Sequence, residues 1–179
     1  MSLRVAVSAL ILVGWAGGPS SADEKHVAVK HDSANPAFEK FKQLAGEWVA
    51  KQKGEDGKEV HVSYKVTSGG SAVVETIMPG GEHEMVSVIH PDGGDVILTH
   101  YCMLGNQPQM RASGAGHGNS VEFKFVRATN LKSDKAMYMH DATFTFVDAD
   151  TLRTTWTLYN EGKAEKQEVF ELKRKSAAP

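Results

Sequence analysis

From Gly46 onward the chain breaks into about ten short segments in which apolar and polar residues alternate, divided by clusters of Gly, Asp and Asn. Alternation of that period reads as antiparallel strands half-buried on one face. The spacing predicts strands near 46–53, 59–67, 71–78, 83–90, 95–102, 107–113, 119–127, 137–147, 151–159 and 165–174. The intervening turns are too short for the crossover helix of a parallel sheet, so consecutive strands are expected to be neighbours. So many strands leave two costly edges unless the sheet closes. The expected fold is therefore all-β, an up-and-down antiparallel barrel of about ten strands. A short helix precedes it, opened by Pro36, with Phe38, Phe41 and Leu44 on one face.

The first residues carry a different pattern. Arg4 supplies one positive charge, Val5 to Gly18 form an apolar run, and Ser20, Ser21 and Ala22 place small residues where a signal peptidase cleaves. Residues 1–22 are read as a secretory signal peptide, 23–35 as a flexible polar leader and 36–175 as a single barrel domain. The mature chain is expected to be exported, periplasmic or secreted, and not inserted in a membrane, since no other stretch approaches about 18 consecutive apolar residues.

Charge narrows the partners. The chain holds 20 Lys and Arg against 22 Asp and Glu, and the basic residues are scattered among acids. Nucleic acid, which demands a concentrated positive surface, is not an expected partner. Cys102 is the single cysteine, so no internal disulfide staples the barrel in spite of the oxidising destination.

Alternation also assigns faces. Val60, Val62, Tyr64 and Val66 share one side of the second strand, and Val121, Phe123, Phe125 and Arg127 one side of the seventh. Val96, Leu98, His100 and Cys102 line the fifth; Tyr138, His140, Ala142, Phe144 and Phe146 the eighth; Leu152, Thr154, Trp156 and Leu158 the ninth. Glu75, Glu84 and Asp141 are assigned to solvent, which leaves no carboxylate pair for acid and base chemistry. The expected interior is an apolar and aromatic wall with a few orienting groups, the composition of a small-molecule pocket. Tyr64, Phe123, Phe125, Phe144 and Trp156 are the candidate wall, and His100, Arg127, Tyr138 and His140 the candidate orienting groups.

Two imidazoles and a thiol, His100, Cys102 and His140, are the residue types that hold zinc, copper or iron, and two residues apart on a strand they face the same way. They form a metal set only if the fifth and eighth strands meet across the cavity. A single inward His is also enough to ligate haem.

The order of a short helix followed by Gly46, Glu47 and Trp48 resembles the Gly-x-Trp opening of lipocalins and the wider calycin group. There the Trp plugs the closed end of the barrel and an Arg of the last strand packs on it, a role the resemblance gives to Trp48 and Arg174. The stretch from Leu44 to Lys173 further resembles a bacterial family of exported lipocalin-like domains, through Glu84 to His90, Thr99 to Arg111 and Met139 to Asp150. That likeness implies a barrel and carries no established activity. The second and third lipocalin motifs and the lipocalin disulfide are missing. Ten-stranded haem barrels of the nitrobindin type share the expected architecture, which implies haem ligated by His100 or His140 as an alternative. The sequence thus points to an exported barrel holding a small, mostly apolar molecule. A haem or metal carrier, a barrel-hosted enzyme and a structural scaffold are the competing readings.

Overall fold

The computed structural model describes residues 35–53, 57 and 59–176. The signal-peptide reading of 1–22 and nearly all of the leader lie outside the described residues. One helix, α1 (Pro36–Lys42), is followed by ten strands: β1 (Gly46–Lys53), β2 (Glu59–Thr67), β3 (Ala72–Ile77), β4 (Met85–Asp92), β5 (Asp95–Tyr101), β6 (Gln107–Ser113), β7 (Ser120–Thr129), β8 (Tyr138–Asp148), β9 (Thr151–Asn160) and β10 (Lys163–Arg174). They form a closed antiparallel barrel in chain order, with β1 meeting β10.

α1 exists because its start is fixed chemically and its inner face is apolar. Asn35 is the N-cap: its side-chain oxygen accepts from the Phe38 N–H at 3.0 Å, and Pro36 supplies the fixed φ of the first turn. The Asn35 amide nitrogen also donates to Asp95 O at 3.0 Å, and the Ala37 N–H donates to Gly114 O at 2.9 Å. The helix is thereby tied to the turns at the lower end of the barrel. Its Phe41 packs against Phe123, Phe144 and Phe146 with ring centroids 5.7, 5.1 and 5.4 Å apart. Burying that ring contributes roughly 1.5–3 kcal/mol and closes the lower end.

Trp48 completes the plug. Its indole N–H donates to Leu44 O at 2.8 Å, and the Arg174 guanidinium lies 4.3 Å above its ring. Arg174 also donates to Ala45 O at 2.9 Å and Gln43 O at 2.8 Å, which satisfies carbonyls at the helix exit. Gly46 has φ +129°, and a Cβ there would stand 3.3 Å from the guanidinium. Glycine thus lets the chain turn and the arginine approach.

The ladder is uneven. Among the described residues, β1 pairs with β10 only from Trp48↔Arg174 to Ala50↔Leu172. β7 pairs with β8 only from Ser120↔Thr145 to Phe123↔Ala142. By contrast, β9 is paired along nearly its whole length with both β8 and β10. One-residue bulges fall at Val126, His140, Val147 and Glu165, all on β7 to β10. The β9–β10 hairpin turns through Glu161 and Gly162, both at positive φ, the two-residue type I′ geometry that matches strand twist.

Candidate functional site

The inner wall of β2 to β6 is layered. At the lower level Val66, Val73, Ile89, Leu98 and Met110 are successive cross-strand neighbours. On the other side of the next inward level, Val62, Ile77 and Met85 form a second apolar row, which begins beside Trp48 of the plug at Val62 and rises to the β3–β4 turn at Met85. Between them runs a polar row, Tyr64, Glu75, Ser87 and His100, each directly opposite the next across the ladder. All four are buried. The Tyr64 hydroxyl donates to Glu75 Oε1 at 2.7 Å, and the Ser87 hydroxyl lies 3.0 Å from His100 Nδ1.

The row is not self-contained. Glu75 Oε2 and His100 Nε2 are buried with no hydrogen-bond partner. Leaving such an atom unpaired costs about 1–3 kcal/mol. Burial raises the Glu75 carboxyl pKa, partly offset by hydrogen bonding from Tyr64 and Ser87. Burial likewise lifts the Tyr64 hydroxyl well above its usual value, helped by the neighbouring Glu75 charge. His100 is pushed down to about 4, again by burial, so at neutral pH it is an uncharged imidazole.

Across the barrel the row faces β9. Trp156 lies over His100, ring centroids 5.0 Å apart, and also packs edge-on against Phe144. Above Trp156 the inward positions are less covered. Met139 and Leu158 oppose one another, and Glu168 opposite Trp156 is followed by Lys166 opposite Leu158. Met139, Leu158, Glu168 and Phe170 are only partly buried, and Lys166 is exposed and paired with Glu168 at 2.5 Å. The lower barrel is filled by apolar side chains, whereas the upper end is the mouth.

A second cluster sits where β7 and β8 part. Asp141 Oδ1 accepts from the Phe125 N–H at 3.1 Å, standing in for the missing backbone carbonyl of the ladder. The same oxygen is 2.8 Å from His140 Nδ1, and Lys124 approaches Oδ2 at 3.2 Å. These hydrogen bonds outweigh the effect of burial and hold the Asp141 carboxyl below the usual carboxylate range. His140 is stacked between Tyr159 at 3.8 Å and Phe125 at 4.8 Å, and Tyr138 packs against Phe125, His140 and Tyr159.

The residues singled out from sequence therefore divide. Tyr64, His100, Phe123, Phe144 and Trp156 are buried inside the barrel. Phe125, Tyr138 and His140 belong to the seam instead: the bulge at His140 shifts the β8 register, so Met139 takes the inner position opposite Leu158. Arg127 does not face inward. The bulge at Val126 turns it to the outer face, where it is exposed and its Nε donates to Gln109 Oε1 at 3.1 Å.

The metal set does not assemble. His100 is held by Ser87 in the polar row, Cys102 follows the end of β5 with its thiol pKa raised by burial, and His140 is in the seam. Among the described residues no group of three His, Cys, Asp or Glu side chains is placed to hold a metal ion.

Glu75 corrects the assignment to solvent. It shares the parity of Val73 and Ile77, both buried, and so faces inward with them. Ser87, between Met85 and Ile89, follows the same parity. Asp141 is likewise half-buried rather than free in solvent. Two grooves lie elsewhere, of about 320 Å³ between β2 and the β3–β4 turn and about 410 Å³ beside α1. Neither is lined by a buried polar atom without a partner among the described residues.

No protein-family model matches the chain, and no curated protein does. Solved structures do. One is the crystal structure of Rv2717c from M. tuberculosis, which superposes with a TM-score of 0.55 at 15% identity, over 79% of this chain and 98% of that one. At that identity the likeness speaks to the fold alone, here a closed antiparallel barrel.

Proposed function

We propose that this barrel binds a small, mostly apolar molecule in the upper half of its interior, oriented by the row Tyr64, Glu75, Ser87 and His100. The observation that carries the reading is the pair of unpartnered atoms, Glu75 Oε2 and His100 Nε2, in one buried row facing Trp156 below the less covered mouth. A filled core gains nothing from carrying both. If the ligand hides about 300 Å² of apolar surface, the gross gain is about 7 kcal/mol. Association costs of at least about 4 kcal/mol leave weak binding from the wall alone. Selectivity then rests on the polar row. On the pattern of residues 1–22, the site of action is outside the cytoplasm.

The test is a fluorescence titration with a neutral apolar dye such as Nile red. The expected result is one saturable site that quenches tryptophan emission in the unaltered protein and is weakened in Trp156→Phe. A dye that fails to saturate, or binds unchanged to Trp156→Phe, refutes the interior site.

Haem is the second reading, favoured by one observation. His140 keeps Nδ1 on Asp141 while its side chain is 24% exposed, the arrangement in which a carboxylate on one ring nitrogen orients a histidine whose other nitrogen binds metal. His140 would hold the iron, and haem would supply redox or gas-binding chemistry there. A Soret shift on haem titration that His140→Ala abolishes would establish it, and no shift removes it.

A further inference from the structure

We infer that the ligand is an organic cation, an amine whose ammonium group is held by Glu75 beneath the aromatic wall. This rests on the interior site proposed above and names the chemistry it selects.

The argument starts from charge. Glu75 is the buried carboxyl of the polar row, and its Oε2 has no partner. No cation is available beside it among the described residues. Arg174 faces inward at the closed end, where Trp48 and the carbonyls of Gln43 and Ala45 occupy it. Lys166 stands at the mouth beside Glu168. Arg127, the one arginine that sequence parity directs to the interior, is turned outward by the bulge at Val126. A carboxylate or phosphate ligand would thus enter a dry wall that offers it an acid and no countercharge, which is strongly unfavourable.

The second open atom, His100 Nε2, lies in the same row. Ser87 Oγ lies 3.0 Å from His100 Nδ1, a contact that either ring tautomer satisfies. With the ring proton on Nδ1, the uncharged imidazole presents Nε2 as an acceptor. A ligand that brings donors then serves Glu75 Oε2 and His100 Nε2 together. An alkylammonium brings three donors and a positive charge. Trp156 over His100 and the Tyr64 ring beside Glu75 add aromatic faces that attract a cation.

The experiment is calorimetric titration of the full chain at neutral pH with three probes that share one scaffold: 2-phenylethylamine, 2-phenylethanol and 3-phenylpropanoate. The amine is expected to bind at least about tenfold tighter than the alcohol, with the carboxylate weakest. Glu75→Gln is expected to lower amine affinity at least about tenfold and alcohol affinity by a clearly smaller factor, so that the amine's advantage over the alcohol collapses. Equal binding of amine and alcohol, or tighter binding of the carboxylate, overturns the cation assignment and leaves the interior site standing. Binding of none of the three at millimolar concentration, in a protein that also fails to take up the neutral dye, overturns both. The head-group series on the unaltered protein decides the question even if Glu75→Gln does not fold.

Discussion

His100 makes the interior row measurable without any ligand. In the folded state burial holds its pKa at about 4 against an ordinary 6.5. Between those values the unfolded chain takes up a proton that the folded chain refuses. The contribution is therefore fully present above about pH 6.5 and is lost as pH falls toward 4. At pH 4.5 the loss is about 2.5 kcal/mol relative to pH 7, from about 1.36 kcal/mol per pKa unit. Glu75 acts in the opposite sense: its raised pKa gives a contribution present below the ordinary 4.5 and lost as pH rises through the folded value. The two slopes oppose one another, and the intact protein shows a flatter acid limb than His100 alone would give.

The clean measurement compares urea unfolding of the unaltered protein and His100→Asn at pH 7, 5.5 and 4.5, repeated in a Glu75→Gln background. The stability difference between parent and His100→Asn should shrink by about 2.5 kcal/mol on acidification. That corresponds to roughly 5–10 °C in melting temperature for a domain of this size. A difference that stays flat from pH 7 to 4.5 would mean that His100 titrates normally, and the buried row would be refuted with it.

Three further perturbations probe the row, the seam and the lid. Tyr64→Phe removes the hydroxyl that donates to Glu75 Oε1, beside an Oε2 that already has no partner; a loss of about 1–3 kcal/mol in urea unfolding is expected, and no loss would show that the Tyr64 hydroxyl does not hold the carboxyl. Asp141→Ala releases the Phe125 N–H and the His140 imidazole together; amide exchange at Phe125 should accelerate while Val121 and Phe123 stay protected, and unchanged exchange would contradict the seam. Gly114→Ala would drive a Cβ into Gly94 O and the Asn35 amide where α1 docks; a cost of about 1–3 kcal/mol is expected by chemical denaturation, and a neutral substitution would show the helix free to shift.

The strands were legible because burial on one side imposes a period of two, and the boundaries read from that period depart by at most two residues in all ten. The plug was legible because Trp48 and Arg174 fall at fixed points of the first and last strands. The site was legible only in half. Tyr64, His100 and Trp156 follow simple parity; Glu75, which parity and neighbours were expected to send to solvent, shares the inward parity of Val73 and Ile77. Arg127 and Tyr138 differ for another reason. Each lies beyond a one-residue bulge, and neither Val126 nor His140 belongs to a residue type that announces one. Where a neighbour's carbonyl is missing, as at Phe125, only the folded chain reveals that Asp141 supplies the acceptor.

The two short ladders have a mechanical consequence. β8, β9 and β10 are zipped to one another along most of their length, but among the described residues the backbone ladder joins each outer edge of this trio to the rest of the wall only near the closed end, and above it the β7 side is held by side chains, Asp141 on the Phe125 N–H and Asn106 on Met137 O. The trio is a leaf hinged at its foot by backbone pairing and latched at its top by side chains, with Trp156 on its inner surface and the polar row on the opposite wall. Swinging it outward would break few backbone hydrogen bonds and would lift the indole off His100, turning a closed jar into an open one without unseating the helix that stoppers its base.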